Sequence, residues 1–196
     1  LKQSPNTKKL ICIPGNAGTK ELAENINIDI QNFNEILNAL KTHKIDLVII
    51  GPEEPLVNGI VDFLRKEGIR VFGPDKFASQ LEGSKAFMKN LCKENNIPTA
   101  KFGIFEDYES AISFLEQNKT PIVVKADGLA AGKGVSICKS QDDAKEKIKE
   151  IISGKFKSSK KVVLEEFLEG EELSYFVVVD KNSFQFFGSA QDHKKV

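Results

Sequence analysis

The sequence predicts an α/β chain in two parts. A doubly wound parallel-sheet domain is expected over residues 1–76, followed by part of an α+β domain over residues 77–196. Three observations predict this. Up to Pro74, strand-like apolar runs alternate with helix-like periodic ones, the pattern of a parallel sheet with crossover helices. Beyond Asp75 the order changes to helices followed by closely spaced strands. Between two of those strands lies the glycine-rich stretch KADGLAAGKGV at 125–135.

In the first part, KLICIP at 9–14 reads as a buried strand ending in the turn PGNAGT. NFNEILNALKTHK then places Phe33, Ile36, Leu37 and Leu40 on one apolar helical face. Asn32, with Glu35 three residues on, resembles a capping box in which Asn replaces Ser or Thr. IDLVIIG at 45–51 is apolar on both faces, as a central parallel strand should be. A single helix is expected from about Pro55 to a stop at Gly68, and IRVFGP at 69–74 is the next strand.

In the second part, SKAFMKNLCKENN is a helix opened by Ser84, and IPTAKFGIF contains a strand. DYESAISFLEQNK is a helix capped by Asp107, with Tyr108, Ile112 and Leu115 facing inward. PIVVKA, the glycine stretch and GVSICKS follow in strand–loop–strand order. SQDDAKEKIKEIISG is a helix with Ser140 as cap and Asp143 completing an S-x-x-D box. KKVVLEEFL, ELSYFVVVD and SFQFFGSAQ are three strands, hairpin-linked with helices on one side.

The 28 basic and 28 acidic residues cancel, so no overall field favours nucleic acid or an anionic membrane, and neither partner is expected. No obligate protein partner is evident either. Three widely spaced cysteines and two histidines, with no C-x-x-C, give no metal-binding pattern and fit reduced thiols in the cytoplasm. The longest apolar runs, LVII and FVVV, are strand-sized rather than membrane-spanning.

Glycine-rich stretches with lysines commonly lie against phosphate, but two familiar phosphate loops fail here. A Walker A loop needs four residues between its glycines, then Lys and Ser or Thr, and it feeds a helix. Gly128 and Gly132 enclose only three residues, Lys133 is followed by Gly134, and the loop joins two strands. No G-x-G-x-x-G opens a helix, so the dinucleotide fingerprint fails too. What remains is a hairpin loop whose bare N–H groups can fold over a polyphosphate, with Lys125 projecting from a rigid strand toward it. The acidic run VVLEEFLEGEELS, which ends a strand, can offer backbone groups to an adenine edge and an acid to ribose hydroxyls.

Lys85 in EGSKAF, Lys125 in VVKADG, the loop GLAAGKG and LEEFLEGEE occur in the order of an ATP-grasp enzyme, which this part of the chain resembles. The resemblance implies that Lys85 and Lys125 bind phosphate. It makes Asp127, Gly128, Ala131, Gly132, Lys133, Gly134 and Val135 part of the lid over the β- and γ-phosphates. It likewise assigns Glu165, Glu166, Phe167 and Leu168 to the adenine hinge and Glu172 to the ribose.

The flanking motifs PGNAGT, IGPEEPLVNGIVD, FGPDKFASQLEGSKAF and SAQDHK narrow the resemblance to the phosphoribosylamine–glycine ligase family. Such ligases join glycine to 5-phosphoribosylamine, with ATP becoming ADP and phosphate. By resemblance, Gly15, Asn16, Ala17, Gly18 and Thr19 lie near the sugar phosphate, with Pro52, Glu53 and Pro55 as further candidates. Gln191, Asp192, His193 and Lys194 line the amine side; Asp192 would hold an ammonium group, and catalytic roles fall to Lys125, Asp192 and His193. The first part corresponds to a preATP-grasp domain. Family members begin with an earlier glycine-rich turn and continue to a glutamate and an asparagine that bind magnesium. The chain is therefore expected to be a portion of the enzyme, inactive alone, with Mg2+ or Mn2+ ligands outside it. Another ATP-grasp ligase or carboxylase, or a non-catalytic nucleotide-binding module, remains open.

Overall fold

A computed structural model describes residues 1–130, 133–156 and 160–193. Among the described residues there are ten strands and eight helices. In the first part, β1 (Ile11–Cys12) pairs in parallel with β2 (Glu24–Asn25) around the short helix α1 (Ala17–Lys20). Helix α2 (Phe33–Thr42) leads to β3 (Val48–Ile49), then α3 (Glu53–Asn58), α4 (Ile60–Lys66) and β4 (Val71–Phe72). Strands β3 and β4 pair in parallel, so the predicted strand–helix–strand crossovers are present.

Several expectations for this part need correction. The strands are two residues long rather than six or seven, and β2 and α1 lay hidden in what read as turn and linker. IDLVIIG is not apolar-covered on both faces: Leu47 and Ile49 are exposed, whereas Val48 and Ile50 pack inward against Ile36, Leu37, Leu40, Val61 and Leu64. That alternation is the ordinary period of a strand with one covered face. The single helix from Pro55 is two helices beginning at Glu53, broken at Gly59, whose φ of 92° lies in the left-handed region. Asn32 caps α2 by accepting from the Glu35 N–H at 3.2 Å, but Glu35 returns to the Asn32 side-chain amide at 3.1 Å instead of the backbone. Asparagine accepts through one side-chain atom and donates through another, whereas serine has a single oxygen for both.

The second part opens with α5 (Gln80–Gly83), which packs on α3, and α6 (Lys85–Glu94), capped by Ser84 as expected. Strand β5 (Phe102–Phe105) precedes α7 (Tyr108–Glu116), where Asp107 accepts from the Ser110 N–H at 2.8 Å. Leu115 and Ala111 are the fully buried residues of α7, with Tyr108 and Ile112 packed at the margin. Strands β6 (Ile122–Ala126) and β7 (Val135–Cys138) form the predicted hairpin across the glycine stretch, with Lys125 opposite Val135. Helix α8 (Gln141–Ile152) is capped by Ser140, which accepts from the Asp143 N–H.

Strand β8 (Val162–Glu166) is not hairpin-linked to its successor. It inserts between β5 and β6, giving the antiparallel order β5-β8-β6-β7. Strands β9 (Glu172–Val179) and β10 (Phe184–Asp192) form a separate hairpin. One face of the four-stranded sheet carries Ile122, Val124, Ala126, Val162 and Leu164 against α7 and α8, and this is the second core. Strand alternation sends Lys125, Val163 and Glu165 to the opposite face, where α6 lies. The sheet thus separates an apolar face from a charged one.

Gly59→Ala is expected to destabilise the first part by roughly 1–2 kcal/mol, the cost of holding an L-residue in the left-handed region. Gly51→Ala, at a position with open space and ordinary backbone, serves as the control and should change little. Urea unfolding midpoints compare the two; equal midpoints would contradict the assignment of a conformational role to Gly59.

Candidate functional site

The charged face of the sheet gathers side chains from α6, β6, β8 and the start of the glycine loop. Lys85 is the first residue of α6, and Lys89 lies one turn further on the same face. Lys85 is half-buried and donates to the Gly128 carbonyl at 2.9 Å. Lys89 is 3% exposed. Its ammonium lies 2.9 Å from Glu165 Oε2, donates to Thr99 Oγ1 at 2.7 Å, and stands 5.5 Å from the centre of the Phe102 ring. The other oxygen of Glu165, Oε1, lies 2.9 Å from the Lys125 ammonium. Glu165 is therefore a buried carboxylate shared by two lysines.

The two halves of that arrangement differ. Oε1 accepts no hydrogen bond among the described residues, and its contact with Lys125 is an ion pair. The attraction there is Coulombic, and Lys125 keeps donors for another acceptor. The Lys125 side chain is also 24% exposed, eight times as open as that of Lys89 at 3%.

Asp127 ties the loop to α6. Its carboxylate accepts from Ser84 Oγ at 3.1 Å and from the Ala86 N–H at 3.1 Å, so a negative charge meets the helix N-terminus. Its own N–H donates to the Lys161 carbonyl. Gly128 follows with φ of 80°, turning the chain away from β6. At the far side of the loop, Ala126 N–H donates to the Gly134 carbonyl at 2.7 Å. A Cβ on Gly134 would come within 2.6 Å of the Ala130 Cβ, so a side chain there would displace the loop. Lys133 and Val135 are exposed beside this stem. Ala131 and Gly132, also expected in the lid, lie outside the described residues.

Three lysines (Lys85, Lys89, Lys125) stand with two carboxylates (Asp127, Glu165) at the root of the glycine loop. Burial pulls the Lys85 pKa below the ordinary lysine range; Asp127 opposes the shift and nearby Lys125 reinforces it. The arrangement can hold an anion, and a polyphosphate suits its length.

The remaining predicted residues fall elsewhere. Glu166 is turned away from Glu165 and accepts from the Lys101 N–H at 2.8 Å, fastening β8 to the start of β5. Phe167 is partly buried and Leu168 exposed, just past the end of β8. Glu172 and Asp192 lie opposite each other in the β9–β10 register, with Gln191 and His193 adjacent and exposed; Lys194 lies outside the described residues.

In the first part, Gly15 has φ of 79°, and Asn16 and Thr19 cap α1 reciprocally, with Thr19 N–H to Asn16 Oδ1 at 2.9 Å and Asn16 N–H to Thr19 Oγ1 at 2.7 Å. Ala17 and Gly18 form the exposed first turn of α1. Pro52 and Glu53 start α3, and Pro55 is buried. Lys89 and Thr99 were not foreseen. The signal for Lys89 was its i+4 spacing from Lys85 on a helix whose inward face is otherwise apolar.

Comparison with known proteins matches two regions of the chain. The N domain of phosphoribosylglycinamide synthetase matches residues 1–82, and the ATP-grasp (A) domain of the same synthetase matches residues 83–196. The chain is 48% identical to the phosphoribosylamine–glycine ligase of Mesorhizobium japonicum, over all of this chain and 46% of that protein. It is 45% identical to the ligase of Pasteurella multocida, over all of this chain and 47% of that protein. It therefore spans about half the length of the curated relatives it matches. The solved phosphoribosylamine–glycine ligase of Thermotoga maritima superposes with a TM-score of 0.72 at 35% identity, covering 90% of this chain and 42% of that one. An ADP complex of N5-carboxyaminoimidazole ribonucleotide synthetase gives a TM-score of 0.75 at 16% identity, over 95% and 48% of the two chains, a likeness of fold alone.

The depressed Lys85 pKa sets a pH expectation. Its proton leaves more readily in the fold than in the unfolded chain, so stability contributed through Lys85 rises with pH between the two values. Anion binding runs the opposite way, because the charged form is lost as pH rises through the depressed value. Polyphosphate affinity should therefore decline at a lower pH than an ordinary lysine would allow. Lys85→Arg, charged throughout, should remove that alkaline limb. Calorimetric titrations across pH 7–10 compare the two proteins, and identical profiles would refute the role given to Lys85.

Proposed function

We propose, from the premise that this chain belongs to the phosphoribosylglycinamide synthetase family, that it forms the nucleotide-holding part of a ligase. The reaction joins glycine to 5-phosphoribosylamine, giving glycinamide ribonucleotide, ADP and phosphate in purine biosynthesis. One observation carries the reading: Lys85 from α6 and Lys125 from β6 converge beside the glycine loop, Lys85 by a bond to the Gly128 carbonyl. The N-terminal part is taken to run to residue 76 and the nucleotide part from 77.

In this reading ATP lies across the lysines with its phosphates under the loop. A carboxylate is a poor acyl donor, so an oxygen of glycine attacks the γ-phosphorus and ADP leaves, giving glycyl phosphate. The amine of phosphoribosylamine then attacks the acyl carbon, expelling phosphate and losing a proton. The protein's contribution is alignment, positive charge where the phosphoryl group transfers, and exclusion of water from the acyl phosphate. Lys85 and Lys125 supply the charge, and the loop from Gly128 through Gly134 supplies N–H donors and cover. Glu166, Phe167 and Leu168 border the base, and Glu172 the ribose. The turn at 15–19, with Pro52 and Glu53, takes the sugar phosphate, and Asp192, His193 and Lys194 take the amine side. ATP is accompanied by a divalent cation in this chemistry. No three His, Cys, Asp or Glu side chains among the described residues form a set that could hold one, so no step here is routed through a metal.

The test is product formation by the full-length protein with glycine, ATP and phosphoribosylamine, alongside an arm in which bicarbonate replaces glycine. Glycine-dependent release of ADP and glycinamide ribonucleotide is expected. Turnover only with bicarbonate would move the protein to the carboxylases. Lys125→Ala is expected to weaken ATP binding by about 1.5–3 kcal/mol, the worth of a charge-assisted contact. Unchanged ATP affinity in that variant would remove the nucleotide assignment itself.

A further inference from the structure

The ion pair at Glu165 has a second lysine that the nucleotide reading does not use. Lys89 never reaches the open side of the cluster, because its ammonium is enclosed by Glu165, Thr99 and the Phe102 ring. A lysine this deeply buried is rare without a partner that needs it. We propose that Lys89 is a positioning residue, which holds Glu165 so that Lys125 presents its ammonium to the nucleotide phosphates. The proposal rests on the nucleotide reading given above.

The geometry supplies the reason. Glu165 Oε2 is occupied by Lys89, so the carboxylate plane is set and only Oε1 faces Lys125. With one oxygen balanced inside the protein by the buried Lys89, Glu165 holds the more open Lys125 by a single ion pair at its other oxygen. Without Lys89, a buried carboxylate would rely on Lys125 alone. The Lys125 ammonium would then be drawn inward onto both oxygens, away from the phosphate side. Thr99 completes the device by accepting from Lys89, which keeps the lysine from swinging toward Oε1.

The experiment uses the full-length protein and four variants: Lys89→Met, Lys89→Arg, Glu165→Gln, and the double variant Lys89→Met with Glu165→Gln. The readouts are affinity for a non-hydrolysable ATP analogue by calorimetry, the KM values for ATP and glycine, and thermal unfolding. Lys89→Met should weaken analogue binding and raise the ATP KM by about tenfold, with the glycine KM unchanged. Lys89→Arg should restore most of the loss. In the Glu165→Gln background, Lys89→Met should change ATP affinity less than twofold, because the group through which it acts is gone. Should Lys89→Met fail to fold, Thr99→Val replaces it and should raise the ATP KM by a smaller factor.

Equal movement of the ATP and glycine KM values, or an undiminished effect in the Glu165→Gln background, would overturn the proposal. So would ATP binding unaltered in Lys89→Met, or in Thr99→Val where that variant is used. A wild-type protein that binds no nucleotide would instead fail the underlying reading, taking this proposal with it.

Discussion

A carboxylate sealed inside a protein must be balanced nearby, and Glu165 is balanced from two directions. Removing either lysine would leave a buried charge short of its counterion, a loss that commonly costs about 3–5 kcal/mol when a buried pair is broken. That constraint links three elements. Lys89 fixes the height of α6 over the sheet, Lys125 fixes the end of β6, and β8 carries Glu165 between them. The glycine loop leaves β6 two residues after Lys125, so its starting point is set by the same contact.

A second fastening keeps the loop and α6 in step. Asp127 reaches Ser84 and the Ala86 N–H, which are helix-opening groups that would otherwise look to water. Lys85 reaches back from α6 to the Gly128 carbonyl. The start of α6 thus donates to the loop at both Asp127 and Gly128, and these bonds keep Lys85 and the root of the loop in register. The half-buried Lys85 sits where its charge is disfavoured by burial and relieved by an incoming anion, which is a reason for an anion to bind there.

Much of this was legible in order and composition. The α2 face of Ile36, Leu37 and Leu40, the caps at Ser84, Asp107 and Ser140, and the β6–loop–β7 hairpin all follow from local rules that need no distant partner. Lys85 and Lys125 were legible through their motif context. What escaped reading depended on distant pairing. The two-residue strands of the first part are defined by which backbone they meet, not by their apolar runs. The break at Gly59 was masked because Leu56, Ile60, Val61 and Leu64 keep an apolar face across it.

Glu165 shows the difference most sharply. By itself the sequence determined that an acidic pair ends a β-type run and that lysines flank a glycine hairpin, since alternation and turn chemistry are local. Only the tertiary structure decided that β8 inserts between β5 and β6. That placement turns Glu165 inward to Lys89 and Lys125, while Glu166 turns out to the Lys101 N–H. Adjacent residues on a strand point to opposite faces, and sheet order alone decides what each face meets.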